Sequence, residues 1–502
     1  MQMKKIITSL LLAATLLSCT ESESEFFVNE DPATFAEVGS IDIGDVGAAE
    51  ISAYDPQTKR LFVVNNGTVN KIDILDFADP SNMKVIGSIS MAPYGGAVNS
   101  VSVSNGKLAA AIESVDKQAA GKVAIFNTSD YKEIKVVTVG ALPDMITFSP
   151  DGKFILTANE GEPNASYTND PVGSISIISV DENYAVNTVD FSGFASQQEA
   201  LKAKGFRVFG LNASFAKDIE PEYITVSGDS KTAWVTLQEN NGIAKISLTS
   251  KTITQIFPLG FKDYNVDANG IDPSDKDNTV AFGKWNVKGI YQPDAIALYE
   301  TDGVPYLFTA NEGDVREYDA YVENLRIAKA KLDATAFPNG TTLKADAQLG
   351  RLNITSTLGD TDGDGDFDQL YSFGARSFSV WNGNDGSLLF DSKNELETKT
   401  LAAGLYDDTR SDDKGVEPEG IAVGSVGNKK VAFVGMERAD AVALYDISNP
   451  KAPVFLQILK CGDAPEGILF IAAKDSPTKK SLLVVSSEND GVVKVYQPKT
   501  LL

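Results

Sequence analysis

Between residues 360 and 368 the chain reads Asp360-Thr361-Asp362-Gly363-Asp364-Gly365-Asp366-Phe367-Asp368, five aspartates in nine residues. Calcium takes six to eight hard oxygen ligands, and alternate carboxylates on a tight loop can wrap one ion. Asp360, Asp362, Asp364 and Asp368 fall at the first, third, fifth and ninth loop positions, with Gly365 where the chain must turn sharply. Asp366 takes the seventh position, where the backbone carbonyl supplies the ligand whatever the side chain does. An EF-hand needs Glu at the twelfth position, and this chain has Tyr371 there. The spacing therefore predicts a calcium loop carried between two strands, not between two helices.

A second acidic set is spread along the chain. Glu50, Asp144, Glu222, Asp294, Glu419 and Glu466 each open a short apolar run, and Glu113, Glu160, Glu239, Glu312, Glu437 and Glu488 each close a neighbouring one. Brought together, such like charges are costly unless cations or backbone N–H groups compensate them. One reading is a polyvalent cation site, able to hold phosphate or carbonate through the metal; its candidate ligands are Glu160, Glu222, Asp294, Glu312, Glu419, Glu437, Glu466 and Glu488. The other is architectural, each carboxylate capping the backbone of the next repeat. Arg316 is the candidate anion contact beside such a metal, with Lys284 and Arg376 as further bases near the same insertions.

Composition removes other chemistries. The chain has no histidine, which excludes Ser-His-Asp and Cys-His catalysis, His-ligated zinc and an imidazole base. The two cysteines, Cys19 and Cys461, cannot build a disulfide framework. A formal charge of −25 over 502 residues repels nucleic acid and attracts cations.

The elements that must position these carboxylates repeat. Glu417-Pro418-Glu419-Gly420-Ile421 begins four β-type runs that end near Lys460, and Ala464-Pro465-Glu466-Gly467-Ile468 starts the unit again. Four strands recurring at about 45–50 residues are the mark of β-propeller blades. The repeats predict an all-β, seven-bladed propeller of the WD40/YVTN kind, one domain over 36–502. A strand at Glu37 to Ile43 is expected to complete the last blade after Tyr496 and so close the ring. Three insertions interrupt the regular spacing. Residues 180–217 carry Ser196-Gln197-Gln198-Glu199, a capping-box sequence, with Gly205 as a stop: a short helix. Residues 257–290 read as loop. The largest, 313–415, predicts a helix from Val315 to Leu332, apolar at Tyr318, Tyr321, Val322 and Leu325.

At the N-terminus, Lys4 and Lys5 precede the apolar run Ile6 to Leu17, which ends in Leu16-Leu17-Ser18-Cys19. This resembles the lipobox of bacterial lipoproteins. It implies a signal peptide over 1–18, lipidation of Cys19 and an acidic tether over 19–35. The run Thr20-Glu21-Ser22-Glu23-Ser24-Glu25 is similar to the surface-export signal of Bacteroidetes lipoproteins, implying a surface-exposed outer-membrane protein, with a periplasm-facing one as the alternative.

Thr157-Ala158-Asn159-Glu160-Gly161-Glu162-Pro163 and Thr309-Ala310-Asn311-Glu312-Gly313-Asp314-Val315-Arg316-Glu317 resemble the choice-of-anchor I family, as do Tyr291-Gln292-Pro293-Asp294-Ala295-Ile296-Ala297, the 360–368 loop and Pro418-Glu419-Gly420. That family includes mesenchyme-specific cell-surface glycoproteins linked to biomineralisation. The resemblance implies a secreted or surface-anchored propeller whose anchor varies between members, here a lipid on the membrane. Alkaline-phosphatase-like labels on some relatives imply, as the alternative, a calcium-dependent phosphoesterase resembling propeller phytases; a metal-dependent lactonase is a third reading. The leading expectation is a calcium-binding surface propeller that works by binding: adhesion, or capture of mineral or an extracellular ligand.

Overall fold

Each repeat folds as a four-stranded antiparallel sheet because short runs of Val, Ile, Leu and Phe are separated by turn residues. In the unit Pro418–Val426, Lys429–Met436, Ala441–Asp446 and Val454–Lys460, for example, the first turn is Gly427-Asn428, and Gly427 sits at φ 57°. The two middle strands are covered on both faces, so they read as nearly continuous apolar runs instead of alternating ones. The computed structural model describes residues 26–501. The expected signal segment, Cys19 and the first part of the tether lie outside the described residues.

Seven four-stranded sheets form among the described residues. Five use four consecutive strands. One pairs Val304–Asn311 with Ser377–Asn382, so the intervening chain leaves the sheet and returns. The seventh combines Pro465–Ile471, Leu482–Ser487 and Val492–Thr500 with the N-terminal strand Glu30–Asp42. There Glu30 pairs with Thr500 and Asp42 with Val492. That strand begins at Glu30, seven residues before the expected start at Glu37.

The first strands of the sheets, beginning with Ala48–Asp55 and Val98–Ser104, lie each against the next, and Pro465–Ile471 lies against Ala48–Asp55 in turn. Apolar cores fill the space between adjacent sheets. Phe62 and Val64 meet Leu108 and Ala110; Phe433 and Val442 meet Leu483 and Val485; Leu61 and Val63 meet Leu482 and Val484. Side chains tie neighbours together near the axis. The Asn66 amide donates to Val98 O at 2.8 Å and accepts from Val98 N at 3.1 Å, and Thr236 Oγ1 donates to Asp294 O at 2.6 Å.

The insertions gather beside this assembly. Tyr264, Ile271 and Val287 from one pack with Ile327, Phe337, Leu352 and Ile354 from another in a separate core. The helix expected over Val315–Leu332 is absent. The segment forms Glu317–Tyr318, Tyr321–Val322 and Asn324–Arg326, then a single 3₁₀ turn at Ile327–Lys329. Three of its four apolar residues are satisfied from outside: Tyr318 and Tyr321 pack edge-on against Tyr167, and Leu325 pairs with Ile354, while Val322 is exposed. The short helix of the first insertion is present at Gln198–Lys202, with Gly205 at φ 95° beyond it, but no side chain caps its N-terminus.

Candidate functional site

The carboxylates that open the first strands are aimed by local irregularities. Register shifts occur at Ala48/Ser52, Val98/Ser100, Pro143/Ile146, Pro221/Ile224, Pro418/Ile421 and Pro465/Gly467. A bulge bends a strand and redirects the side chain beside it. These shifts span Glu50, Asn99, Asp144, Glu222, Glu419 and Glu466. Proline is tolerated at these starts because the strand's other edge is unpaired and needs no donor. The preceding residue adds to the turn: Leu142, Gln292, Glu417 and Ala464, each before a proline, have φ of 44–55°.

The result is a cavity of about 340 Å³ at the shared end of these strands. Ten carboxylate side chains line it, and no lysine or arginine does. Asp144, Glu222, Glu419 and Glu466 come from the starts of first strands, and Asp294 lies two residues before the strand Ile296–Thr301. Glu160, Glu239 and Glu312 follow the ends of second strands, and Glu162 and Asp314 lie two residues beyond two of those. Ile51, Met145, Tyr223 and Ile468 lie just inside, and below them a second cavity of about 250 Å³ continues.

Two groups of three have carboxylate oxygens within 4.8 Å of one another: Asp144–Glu160–Glu222 and Asp294–Glu312–Glu419. At that range two bare charges repel by about 4 kcal/mol even at an effective dielectric near 20. The carboxyl groups respond by holding protons. Burial first, then neighbouring carboxylates, push Asp144 to about 6 and Glu239 to about 8, and raise Glu160, Glu222, Asp294, Glu419 and Glu466 well above the ordinary range. Asp314 is raised to about 6 by burial. Glu50, beside the group, is raised to about 8 by burial, partly offset by the Asn66 amide at 2.8 Å. One oxygen each of Glu239 and Glu419 is buried with no hydrogen-bond partner. That is the chemistry of a hard-cation site: many oxygens, close together, uncompensated.

One side of the mouth is compensated. Burial would raise Glu312, but Lys414 Nζ, 2.7 Å from its Oε1, holds it below the ordinary value. Lys414 also lies 3.2 Å from Glu417, which Arg410 contacts as well. Arg438 lies 2.9 Å from Glu437 and 3.6 Å from Glu417. Glu437 thus sits in an ion-pair cluster with Glu312 and Glu417, raised to about 7 by burial and by Glu312. Glu488 acts on Glu50 and Glu466 without lining the cavity. Glu113 accepts from Lys117 at 3.3 Å.

The 360–368 loop lies apart, between the strands Asn353–Thr355 and Tyr371–Ser372. Gly363 and Gly365, at φ 82° and 87°, turn their N–H groups onto the two Asp360 oxygens at 2.7 and 3.0 Å. Asp360, Asp362 and Asp368 bring oxygens within 4.8 Å of one another. Asp364 stays outside that group and accepts from Asp366 N at 3.1 Å. The Asp366 carboxylate turns to a second group with Asp368 and Asp333, and pairs with Lys331 at 3.2 Å.

Arg316 is 3% exposed and committed within the protein, contacting Asp218 at 2.7 Å and Glu220 at 2.9 Å. Arg376 is buried against Glu397, and Lys284 pairs with Asp267 at the surface. Sequence reasoning missed Glu162, Asp314, Lys414 and Asp333. The first two had a signal: Asn159-Glu160-Gly161-Glu162 and Asn311-Glu312-Gly313-Asp314 place a second acid at the same offset. Lys414 and Asp333 had none: Lys414 reaches Glu312 from the far end of the 313–415 insertion, and Asp333 meets Asp366 and Asp368 only through the insertion's own fold.

The sequence model of a family described as "Choice-of-anchor I domain" matches residues 50–450. Gigasin-3a of Magallana gigas is 28% identical over 193 residues, covering 32% of this chain and 68% of that protein. The mesenchyme-specific cell surface glycoprotein of Strongylocentrotus purpuratus is 24% identical over 337 residues, 56% of this chain; the match spans 43% of that protein's length. Among solved structures, Kuenenia stuttgartiensis hydrazine synthase has a TM-score of 0.49 at 13% identity, covering 91% of this chain and 97% of that one. The β-propeller domain of Myceliophteria thermophila Cps50 (Swd1) has a TM-score of 0.47 at 10% identity, covering 92% and 99%.

Proposed function

The chain belongs to the choice-of-anchor I family, and we propose that it is a seven-bladed propeller module of a cell surface that works by binding calcium and, through it, an extracellular ligand. Seven four-stranded sheets, the cyclic succession of their first strands and the pairing of Glu30–Asp42 with Val492–Thr500 support the ring. The family and the cell-surface relative point to a surface or extracellular protein, and no helix among the described residues is long and apolar enough to cross a membrane. A lipid on Cys19 is the proposed anchor, in the outer membrane.

The observation that carries the reading is the mouth, where ten carboxylates face one cavity with no base among them. Calcium there would relieve the repulsion and leave coordination positions for mineral, carboxylate or phosphate groups. A second calcium site is proposed in the loop, held by Asp360, Asp362 and Asp368, with Asp364 and the Asp366 carbonyl drawn in on binding. A metal-dependent phosphoric ester hydrolase is the second reading. It is favoured by the unpartnered Glu239 and Glu419 oxygens beside an open cavity, which a purely architectural ring would have capped.

Calcium titration by calorimetry on the full chain tests both sites. Wild type should bind calcium, and Asp360→Ala/Asp364→Ala should lose the loop's share only. Wild type that takes up no calcium at millimolar concentration would end this reading. Turnover of phosphate esters by the calcium-loaded protein would move the assignment to the hydrolase.

A further inference from the structure

The mouth is not symmetric, and its asymmetry says how many cations it takes. Of its two carboxylate triads, Asp144–Glu160–Glu222 has no base in hydrogen-bond contact, whereas Asp294–Glu312–Glu419 has Lys414 bonded to Glu312 at 2.7 Å. Two buried oxygens without a partner belong to the same mouth. Glu239 is 6% exposed, lines the cavity and acts on Glu160 and Glu222 of the first triad and on Asp294 of the second; Glu419 belongs to the second triad itself. The two triads are separate groups, and no set of oxygens within 4.8 Å of one another spans both, so one ion cannot take its ligands from both.

We infer that the mouth holds two divalent cations in unequal sites: a tighter one at Asp144–Glu160–Glu222, and a weaker one at Asp294–Glu312–Glu419, where the Lys414 ammonium competes for Glu312. This rests on the proposed cation-binding mouth and specifies its contents. Two hard cations facing one cavity recognise a ligand with several oxygens, which one cation and a lysine would hold less tightly. Lys414 is thus a specificity-setting residue: it lowers occupancy of the second site until cation is abundant. Its position suits that role, since Glu417, Arg410 and Arg438 anchor the surrounding cluster.

The test uses calcium alone on full-length protein carrying Asp360→Ala/Asp364→Ala, so that only the mouth is counted. Calorimetry should resolve two residual sites. Adding Glu222→Gln should remove the tighter one and Glu419→Gln the weaker, and Lys414→Gln should tighten the weaker by on the order of tenfold. Both Glu→Gln changes remove a carboxyl from a cavity crowded with ten, so metal-free protein should melt higher, a result that loss of a structural cap would reverse. A single residual site abolished by either Glu→Gln change would overturn the two-cation inference and leave the cation-binding mouth standing. No residual calcium would overturn both.

Discussion

At the scale of single residues, charge decides most of what this molecule can do. Arg316 shows how a base near an acidic mouth can be spent elsewhere: it is buried between Asp218 and Glu220 and stacks over Phe209 at 4.4 Å. Removing one partner of such a group leaves uncompensated buried charge, typically worth about 3–5 kcal/mol. Arg316→Ala should therefore lower unfolding stability by that order in urea titrations; an unchanged denaturation midpoint would reject the structural role. The acids themselves were legible. Glu160, Glu222, Asp294, Glu312, Glu419 and Glu466 recur at fixed places in each repeat, and the repeat dictates that they converge. Their compensation was not legible. Whether a carboxylate meets a backbone N–H, a lysine 102 residues away, as Glu312 does, or nothing at all is decided by contacts that spacing does not encode.

Strands and loops show the same division. Four runs per unit with Gly, Asn or Asp between them are enough to specify a sheet, so the sheets were readable. The segment after Val315 was not, because helix-like spacing of Tyr318, Tyr321 and Leu325 is equally well served by short strands when another insertion supplies the partners. The N-terminal strand is the element with most at stake. Phe35 is 4% exposed, packs edge-on against Phe433 at 5.5 Å and sits in the core between the last two sheets. Phe35→Ala should cost about 3–5 kcal/mol, read as a lower midpoint in chemical denaturation. It should also promote self-association on size exclusion, because a loosened Glu30–Asp42 uncovers the edge of Val492–Thr500. A monomer of unchanged stability would contradict the role assigned to this strand.

The whole molecule carries a charge of −25, and much of its cost is concentrated in one place. Carboxyls with raised values bind protons more tightly folded than unfolded, so they oppose folding increasingly as pH climbs from the unfolded value, about 4, to the folded one. With Asp144 and Asp314 at about 6, Glu437 at about 7 and Glu50 and Glu239 at about 8, that window runs from about pH 4 to 8. Calorimetric melting of metal-free protein should therefore fall by several degrees from pH 5 to 8, at about 1 °C for each kcal/mol lost in a domain of this size. Millimolar calcium should abolish most of the fall, and a flat metal-free profile would refute the account. The pairing of Glu30–Asp42 with Val492–Thr500 has a further effect, on timing. The first strand to leave the ribosome waits for nearly the last, and at roughly 5–20 residues per second that delay is about 20–90 s. Phe35 has no native partner until Phe433 and Gln457 emerge, and the strand's backbone none until Val492–Thr500, so this strand stays open for most of synthesis. A translation stop between Lys460 and Val492 would leave six finished sheets and Glu30–Asp42 without its partner.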